Sequence, residues 1–315
     1  MVSFDDVRAA AERIAGRCVC TPLLPAPWAD AGPLWLKPEC LQPTGAFKLR
    51  GATNAVARLD AGERARGVVT HSSGNHGWAL AHAARAAGVP ATIVVPLGAN
   101  PLKVDAIRAA GAELVPVPMQ DRVTTSAEIA TSTGAVEVPP FDHSDVIAGQ
   151  GTVGLEICAD LSDVETVLVP VGGGGLIAGV AVAVKALAPH ARVIGCEPAL
   201  AGDAADSFRT GVLTAWDSAS TTRTRADGLR VPALGQLSWP LIQQHVDDIV
   251  TVSEDAILAA TRELVSRSRL VVEPSGAVPL AALREHSGLA RGRTVVVVSG
   301  GNIDPALLSE LLGSQ

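Results

Sequence analysis

The chain has 315 residues, 48% of them hydrophobic and 18% charged, with a formal net charge of -7 at pH 7. That length supports a large core and favours two lobes over one, and the composition is that of a folded, soluble chain. The acidic balance lacks the positive footprint that a nucleic-acid partner requires. Residues 1–17, MVSFDDVRAAAERIAGR, carry no apolar core segment and read as an amphipathic helix, not a signal peptide. Beyond them, apolar β-rich runs alternate with alanine-rich helical stretches. The first half predicts a helix over Lys48–Leu59, a strand over Gly67–Thr70, a helix over His76–Ala87 and a strand over Ala91–Pro96. A helix over Pro101–Ala110, a strand over Glu113–Val117, a helix over Val123–Ser132 and a strand over Ala135–Val138 follow. The second half predicts a helix over Gly151–Leu161, a strand over Thr166–Val171, a helix over Gly175–Leu187 and a strand over Arg192–Glu197. Ala199–Pro240 reads as the least regular part; a strand over Asp248–Val252, helices over Glu254–Ser268 and Gly276–Glu285, and a strand over Thr294–Ser299 close the chain. Continuous apolar strands between helices predict parallel sheets buried on both faces.

The longest apolar stretch, Leu176–Val184, is too short to span a bilayer and ends at Lys185. The five cysteines are scattered, with no CxxC pair and no Cys/His cluster, which fits a reducing cytoplasm and excludes a zinc site of that kind.

Three segments carry chemistry. In Val169-Pro-Val-Gly-Gly-Gly-Gly-Leu176, glycines follow a predicted strand and open a predicted helix, so backbone N–H groups and the helix N-terminus are available to a phosphate. The same segment fits the dinucleotide fingerprint through Gly173, Gly175 and Ala178, with Glu197 at the end of the next strand as a ribose partner, so a nicotinamide-dependent oxidoreductase is a competing reading. In Lys37–Gly51, Lys48 opens a helix after a Thr-Gly turn, where desolvation would free its amine for Schiff-base chemistry; a surface lysine is the plain alternative. In Thr70-His-Ser-Ser-Gly-Asn-His-Gly77, small donors lie between a strand and a helix and suit a carboxylate, or simply cap the helix.

Taken together, PTGAFKLRGA, HSSGNHG, VIAGQGT, VPVGGGGLIAG, EPSGA and VVVVSGGN resemble the fold type II pyridoxal 5'-phosphate (PLP) enzymes, and in particular the threonine/serine dehydratase and serine racemase family. The stretches occur in that family's order, from Lys37 to Asn302. The resemblance implies an α/β fold of two open, twisted parallel-sheet domains of the tryptophan synthase β-subunit type. A large PLP-binding domain would comprise residues 1–65 and 143–315, and a small domain residues 66–142. It implies PLP bound to Lys48 as a Schiff base, Phe47 beside the ring, Asn75 on the 3'-oxygen, Gly172, Gly173, Gly174, Gly175 and Leu176 on the phosphate, and Ser299 at the pyridine nitrogen. Ser72, Ser73, Gly74 and His76 would bind the substrate carboxylate. Lys48 would move the α-proton, and Ser73 would protonate the opposite face in a racemase. Arg122 would meet a second carboxylate at the entrance. Glu197, Asp203 and the Ala201 carbonyl resemble the family's divalent cation site, for Mg²⁺ or Ca²⁺. The activity implied is α,β-elimination (dehydration and deamination) of L-threonine or L-serine to a 2-oxo acid and ammonia. Serine or aspartate racemase and threo-3-hydroxyaspartate ammonia-lyase stand as alternatives. A homodimer in the cytoplasm, acting on a small amino acid without nucleic acid or membrane, completes the expectation.

The chain also departs from the family. Trp78 replaces a usual glutamine, and Pro43 and Pro116 replace residues of the nucleotide site in mammalian serine racemases, so ATP activation is not expected. Phe141 is the dehydratase choice, and Val231 replaces a racemase serine.

Overall fold

Runs of valine, isoleucine and leucine bounded by helices assemble into two sheets in a computed structural model that describes residues 1–29, 32–99 and 101–313. Helix α1 (Phe4–Ile14) starts at a capping box between Ser3 and Asp6. Strands β1 (Leu24–Pro25) and β2 (Leu34–Pro38) lead to α2 (Lys48–Arg58) and α3 (Ala61–Arg66). Next come β3 (Val68–Thr70), α4 (Asn75–Ala87), β4 (Ala91–Pro96), α5 (Pro101–Ala109), β5 (Glu113–Val117), α6 (Arg122–Thr133) and β6 (Val136–Glu137). The chain continues through α7 (Ser144–Asp160), β7 (Thr166–Pro170), α8 (Gly175–Leu187), β8 (Arg192–Pro198), α9 (Asp203–Thr210), α10 (Ser218–Thr221) and α11 (Ser238–His245). It ends with β9 (Asp248–Val252), α12 (Glu254–Glu263), α13 (Pro274–Glu285), β10 (Thr294–Val298) and α14 (Pro305–Gly313).

The larger sheet has the order β1-β2-β10-β7-β8-β9 and is parallel apart from its edge strand β1. One face packs on α1, α7, α8 and α11, the other on α12 and α13. The smaller sheet, β5-β4-β3-β6, is wholly parallel. Both are the α/β architecture expected. Helix α2, expected in the larger domain, turns Leu49, Ala52, Ala55 and Val56 into the core of the smaller sheet beside Val68, Leu80 and Ile93. Lys48 therefore stands on the element where the sheets meet.

Four expectations need correction. β1 and β2 were not predicted, because Lys37 inside β2 reads as a surface residue; in the structure it is fully buried and paired with Glu156. Helix α7 begins at Ser144, seven residues before Gly151, because the glycines of IAGQG are contact surfaces rather than breakers. A Cβ on Gly149 would stand 2.6 Å from Gly51 Cα, so the glycine lets α7 lie directly on α2. The stretch expected to be irregular, Ala199–Pro240, holds α9, α10 and the start of α11, and the helix expected to Ser268 relaxes after Glu263 into a π-helical turn. No helix among the described residues is long and apolar enough to cross a membrane.

Candidate active site

The loop that ends at Lys48 is stitched to the segment leaving β10. Phe47 N donates to Ser299 O (3.0 Å), Gly301 N to Gly45 O (2.8 Å), and Asn302 Nδ2 to Thr44 O (2.9 Å). Gly45 has φ +69°, and a Cβ there would sit 2.3 Å from Asn302 Oδ1, so only glycine makes this turn against Asn302. The seam pairs Ala46 with Gly300 and so sets Phe47, the residue before Lys48, against the buried Ser299 from the far end of the sequence. Lys48 Nζ donates to Pro140 O (2.5 Å) and lies 5.0 Å from the Phe47 ring centroid. The side chain is partly accessible from the cleft, yet the protein around it desolvates the ammonium and lowers its pKa to about 8.

The Ser-Ser-Gly-Asn turn lies between β3 and α4. Ser72 Oγ accepts from Gly74 N (3.4 Å), and α4 begins at Asn75 with no side-chain cap. Its first amides are thus available to an anion, which the helix end favours. The His76 ring points away from this opening: Nε2 bonds Val138 O at 2.8 Å, and burial drives its pKa down to about 3. Only the His76 backbone N–H remains for the role expected of it. Arg122 is the first residue of α6, with Nε bonded to Met119 O (2.9 Å), and its charge helps keep His71 neutral after burial has already lowered that pKa. Its charge thus reaches His71, at the start of the Ser-Ser-Gly-Asn turn.

Two residues that sequence reasoning did not single out complete the site. Asn75 Nδ2 donates to Glu273 Oε1 (2.7 Å), and Asn75 Oδ1 accepts from Asn302 Nδ2 (2.8 Å). Both partners lay within quoted motifs, EPSGA and VVVVSGGN, but nothing local tied them to Asn75. Burial pushes the Glu273 carboxyl up to about 7; Asp227 adds to this, while Lys103, the Asn75 bond and the backbone N–H of Asn302 oppose it. Beside this group a cavity of about 190 Å³ is lined by Gly74, Asn75, Trp78, Lys103, Ala106 and Asn302. A larger cavity, about 240 Å³, lies beside α1 and α11 and holds none of these groups.

Gly172, Gly173, Gly174 and Gly175 form the turn from β7 into α8, a helix of 13 residues that also starts without a side-chain cap. The Phe141 ring covers Gly173. An uncapped glycine turn at a long helix is the donor set that a phosphate completes, so these residues fit the phosphate of PLP. Glu197 does not act as a ribose partner: its carboxylate is used at the start of α9, accepting from Ala204 N (3.2 Å) and Ala205 N (3.0 Å). Glu197, Ala201 and Asp203 are all buried, and Asp203 Oδ2 has no hydrogen-bond partner. Burial, then the charge of Asp203, raises the Glu197 pKa well above the carboxylate range. Paired buried carboxylates with a bare oxygen fit a hard cation. No group of three or more His, Cys, Asp or Glu side chains placed to hold a metal ion occurs among the described residues, so backbone carbonyls and water would complete the shell.

Comparison with known proteins matches this arrangement. The pyridoxal-phosphate dependent enzyme model matches residues 15–300. A serine racemase of Oryza sativa is 41% identical, covering 97% of this chain and 92% of its own length. The catabolic L-threonine dehydratase of Escherichia coli K12 is 40% identical, covering 99% and 96%. The solved structure of maize serine racemase superposes with a TM-score of 0.93 at 39% identity, covering 98% of this chain and 96% of that one. None of these is an oxidoreductase. With a desolvated lysine, an uncapped glycine turn and a near full-length match in agreement, the chain belongs to the pyridoxal-phosphate dependent enzyme family.

Proposed function

We propose that this enzyme eliminates water from a small β-hydroxy amino acid, L-threonine or L-serine, and that hydrolysis of the resulting enamine, through its imine tautomer, gives a 2-oxo acid and ammonia. The observation that carries the reading is the Lys48 amine, desolvated to a pKa of about 8 just past the seam of Phe47 with Ser299. Gly172, Gly173, Gly174, Gly175 and the Leu176 amide would hold the cofactor phosphate, Phe47 the ring face, Asn75 the 3'-oxygen and Ser299 the ring nitrogen. When bound, the cofactor draws electrons from the substrate α-carbon, and a hydroxyl at its nitrogen leaves it a weak sink, suited to prompt loss of a β-substituent. The hydroxyls of Ser72 and Ser73 and the amides of Gly74 and His76 would bind the substrate carboxylate. Lys48 Nζ takes the α-proton, the β-hydroxyl leaves as water, and the released enamine hydrolyses to the 2-oxo acid and ammonia. Arg122, whose charge reaches His71 at the start of the turn, would accept a second carboxylate and admits hydroxyaspartate as a substrate.

Racemisation is the second reading, favoured by the Ser73 hydroxyl and by the serine racemase relative. Pure enzyme incubated with L-threonine, L-serine and hydroxyaspartate, with oxo acid and enantiomers both followed, separates the two. Oxo acid is expected to lead, and antipode accumulating ahead of it would overturn the first reading. Ser73→Ala is expected to abolish any antipode while elimination falls by no more than about tenfold.

The proposal includes a structural Mg²⁺ or Ca²⁺ on Glu197, Asp203 and the Ala201 carbonyl, supported by the bare Asp203 oxygen. Millimolar Ca²⁺ or Mg²⁺ is then expected to raise the thermal midpoint by roughly 3–8 °C, as a ligand bound only by the folded state does. Glu197→Gln should abolish that rise, and an unchanged rise in the variant would remove the assignment. A homodimer and a cytoplasmic location belong to the same proposal. Five free thiols, at Cys18, Cys20, Cys40, Cys158 and Cys196, support the second.

A further inference from the structure

Asn75 has both ends of its amide engaged, by Asn302 and by Glu273, which leaves one Nδ2 hydrogen for a ligand. Glu273 is 2% exposed, and its second oxygen, Oε2, is buried without a hydrogen-bond partner. A bare buried carboxylate oxygen is destabilising and asks for a reason. The charged groups that face Glu273 are Asp227 and Lys103, and they are bonded to each other, Nζ to Oδ2 at 2.6 Å. That bond crosses the cleft, from α5 beside the smaller sheet to the Asp227–Leu229 turn. The same turn is anchored beside Glu273, where Gly228 N donates to Ser275 Oγ (2.9 Å). The other titratable neighbour, the Cys40 thiol, is pushed up to about 12 by burial and stays neutral. Arg230 faces Lys103 rather than Glu273.

We infer that Glu273 is a positioning residue: with Asn302 it holds the Asn75 amide in one orientation toward the cofactor, and the Lys103–Asp227 bridge across the cleft sets the charge that Glu273 carries. The inference rests on the proposed role of Asn75 at the 3'-oxygen. An ionised Glu273 is the stronger acceptor, so it grips Asn75 most firmly when deprotonated. Lys103 favours the carboxylate and Asp227 the acid, so the two ends of one ion pair act on Glu273 in opposite directions. Separation of the lobes would break that pair and change the hold on Asn75.

The test is a pH titration of the visible absorption of the holoenzyme, together with the dissociation constant of PLP from each variant. Wild type should show a spectral transition near neutrality. Glu273→Gln keeps an acceptor for Asn75, so it should retain PLP within about threefold yet lose the transition. Glu273→Ala should release PLP about tenfold more readily, the order of one hydrogen bond to a charged group. Lys103→Met should move the transition to higher pH and Asp227→Asn to lower pH. Both residues are partly exposed, so these variants should fold. A bridge that was merely structural would move both variants alike. No transition in wild type, its persistence in Glu273→Gln, or Lys103→Met and Asp227→Asn moving together would overturn the inference. Failure of the underlying proposal looks different: Asn75→Ala would then leave the visible band and the PLP dissociation constant as in wild type.

Discussion

Lys48→Ala is expected to abolish the visible cofactor band and to lower turnover by roughly 10⁴-fold, the scale on which loss of a nucleophile and proton carrier is felt. The fold should survive. The side chain makes one hydrogen bond, to Pro140 O, and alanine is a good residue for the first turn of α2. A thermal midpoint close to wild type would therefore accompany the loss of activity. Lys48→Arg separates charge from chemistry: guanidinium keeps the charge but does not deprotonate near neutrality, so this variant should be equally inactive. The pKa of about 8 also fixes a pH dependence. Only the neutral amine captures the cofactor aldehyde, so the rate of PLP uptake by apoenzyme should fall about tenfold per pH unit below 8 and level off above it. Activity in Lys48→Arg, or a band that outlives Lys48→Ala, would remove Lys48 from the centre of the reaction.

What the sequence disclosed follows from how local each signal is. Strands β7, β8 and β10 were legible because both faces are buried and the residues between their polar ends are apolar. Strand β2 was not, since LWLKP hides a lysine whose partner, Glu156, lies 119 residues away. Glycines at 149 and 151 have two meanings, breaker or contact, and only the neighbouring helices decide between them. The site divides in the same way. A glycine turn between strand and helix states its own chemistry. Lys48 does not: its spacing fits a surface lysine equally well, and it gained standing from partners that the six motifs supplied. Glu273 and Asn302 stand 198 and 227 residues from Asn75, so no periodicity links them to it. His76 shows a different limit: the motif places the residue, but only the fold shows that its ring is used elsewhere, on Val138.

The largest stability effect is expected at Arg50, two residues beyond Lys48. Its guanidinium is fully buried and bonded to both oxygens of Glu39 (2.7 and 2.8 Å) and both of Glu156 (2.6 and 2.8 Å). Val19 O and Thr152 Oγ1 complete its shell at 3.1 Å each, and Lys37 Nζ balances Glu156 at 2.6 Å. Burial alone would raise the pKa of Glu39, yet Arg50, Thr21 and Lys37 together hold it below the usual value. Arg50→Met would leave that carboxylate buried without its counter-charge. Such a loss costs about 3–5 kcal/mol, or roughly 5–8 °C in the thermal midpoint of a chain this size. Arg50→Lys should recover only part, because an ammonium cannot bridge two carboxylates as the planar fork does. Arg50→Met combined with Glu39→Met should recover most of it, since a paired charge replaced by apolar bulk is close to neutral. The sign with pH is fixed as well: a carboxylate whose pKa is lowered on folding stabilises above its unfolded value and ceases to do so as pH falls through the folded one. Wild type should therefore lose stability more steeply on acidification than Arg50→Met. Calorimetry of the four proteins between pH 4 and 8 reads all of this. Parallel acid limbs, or a double variant no more stable than Arg50→Met, would mean that the cluster is solvated in solution and that packing, rather than charge, fixes the base of the Lys48 helix.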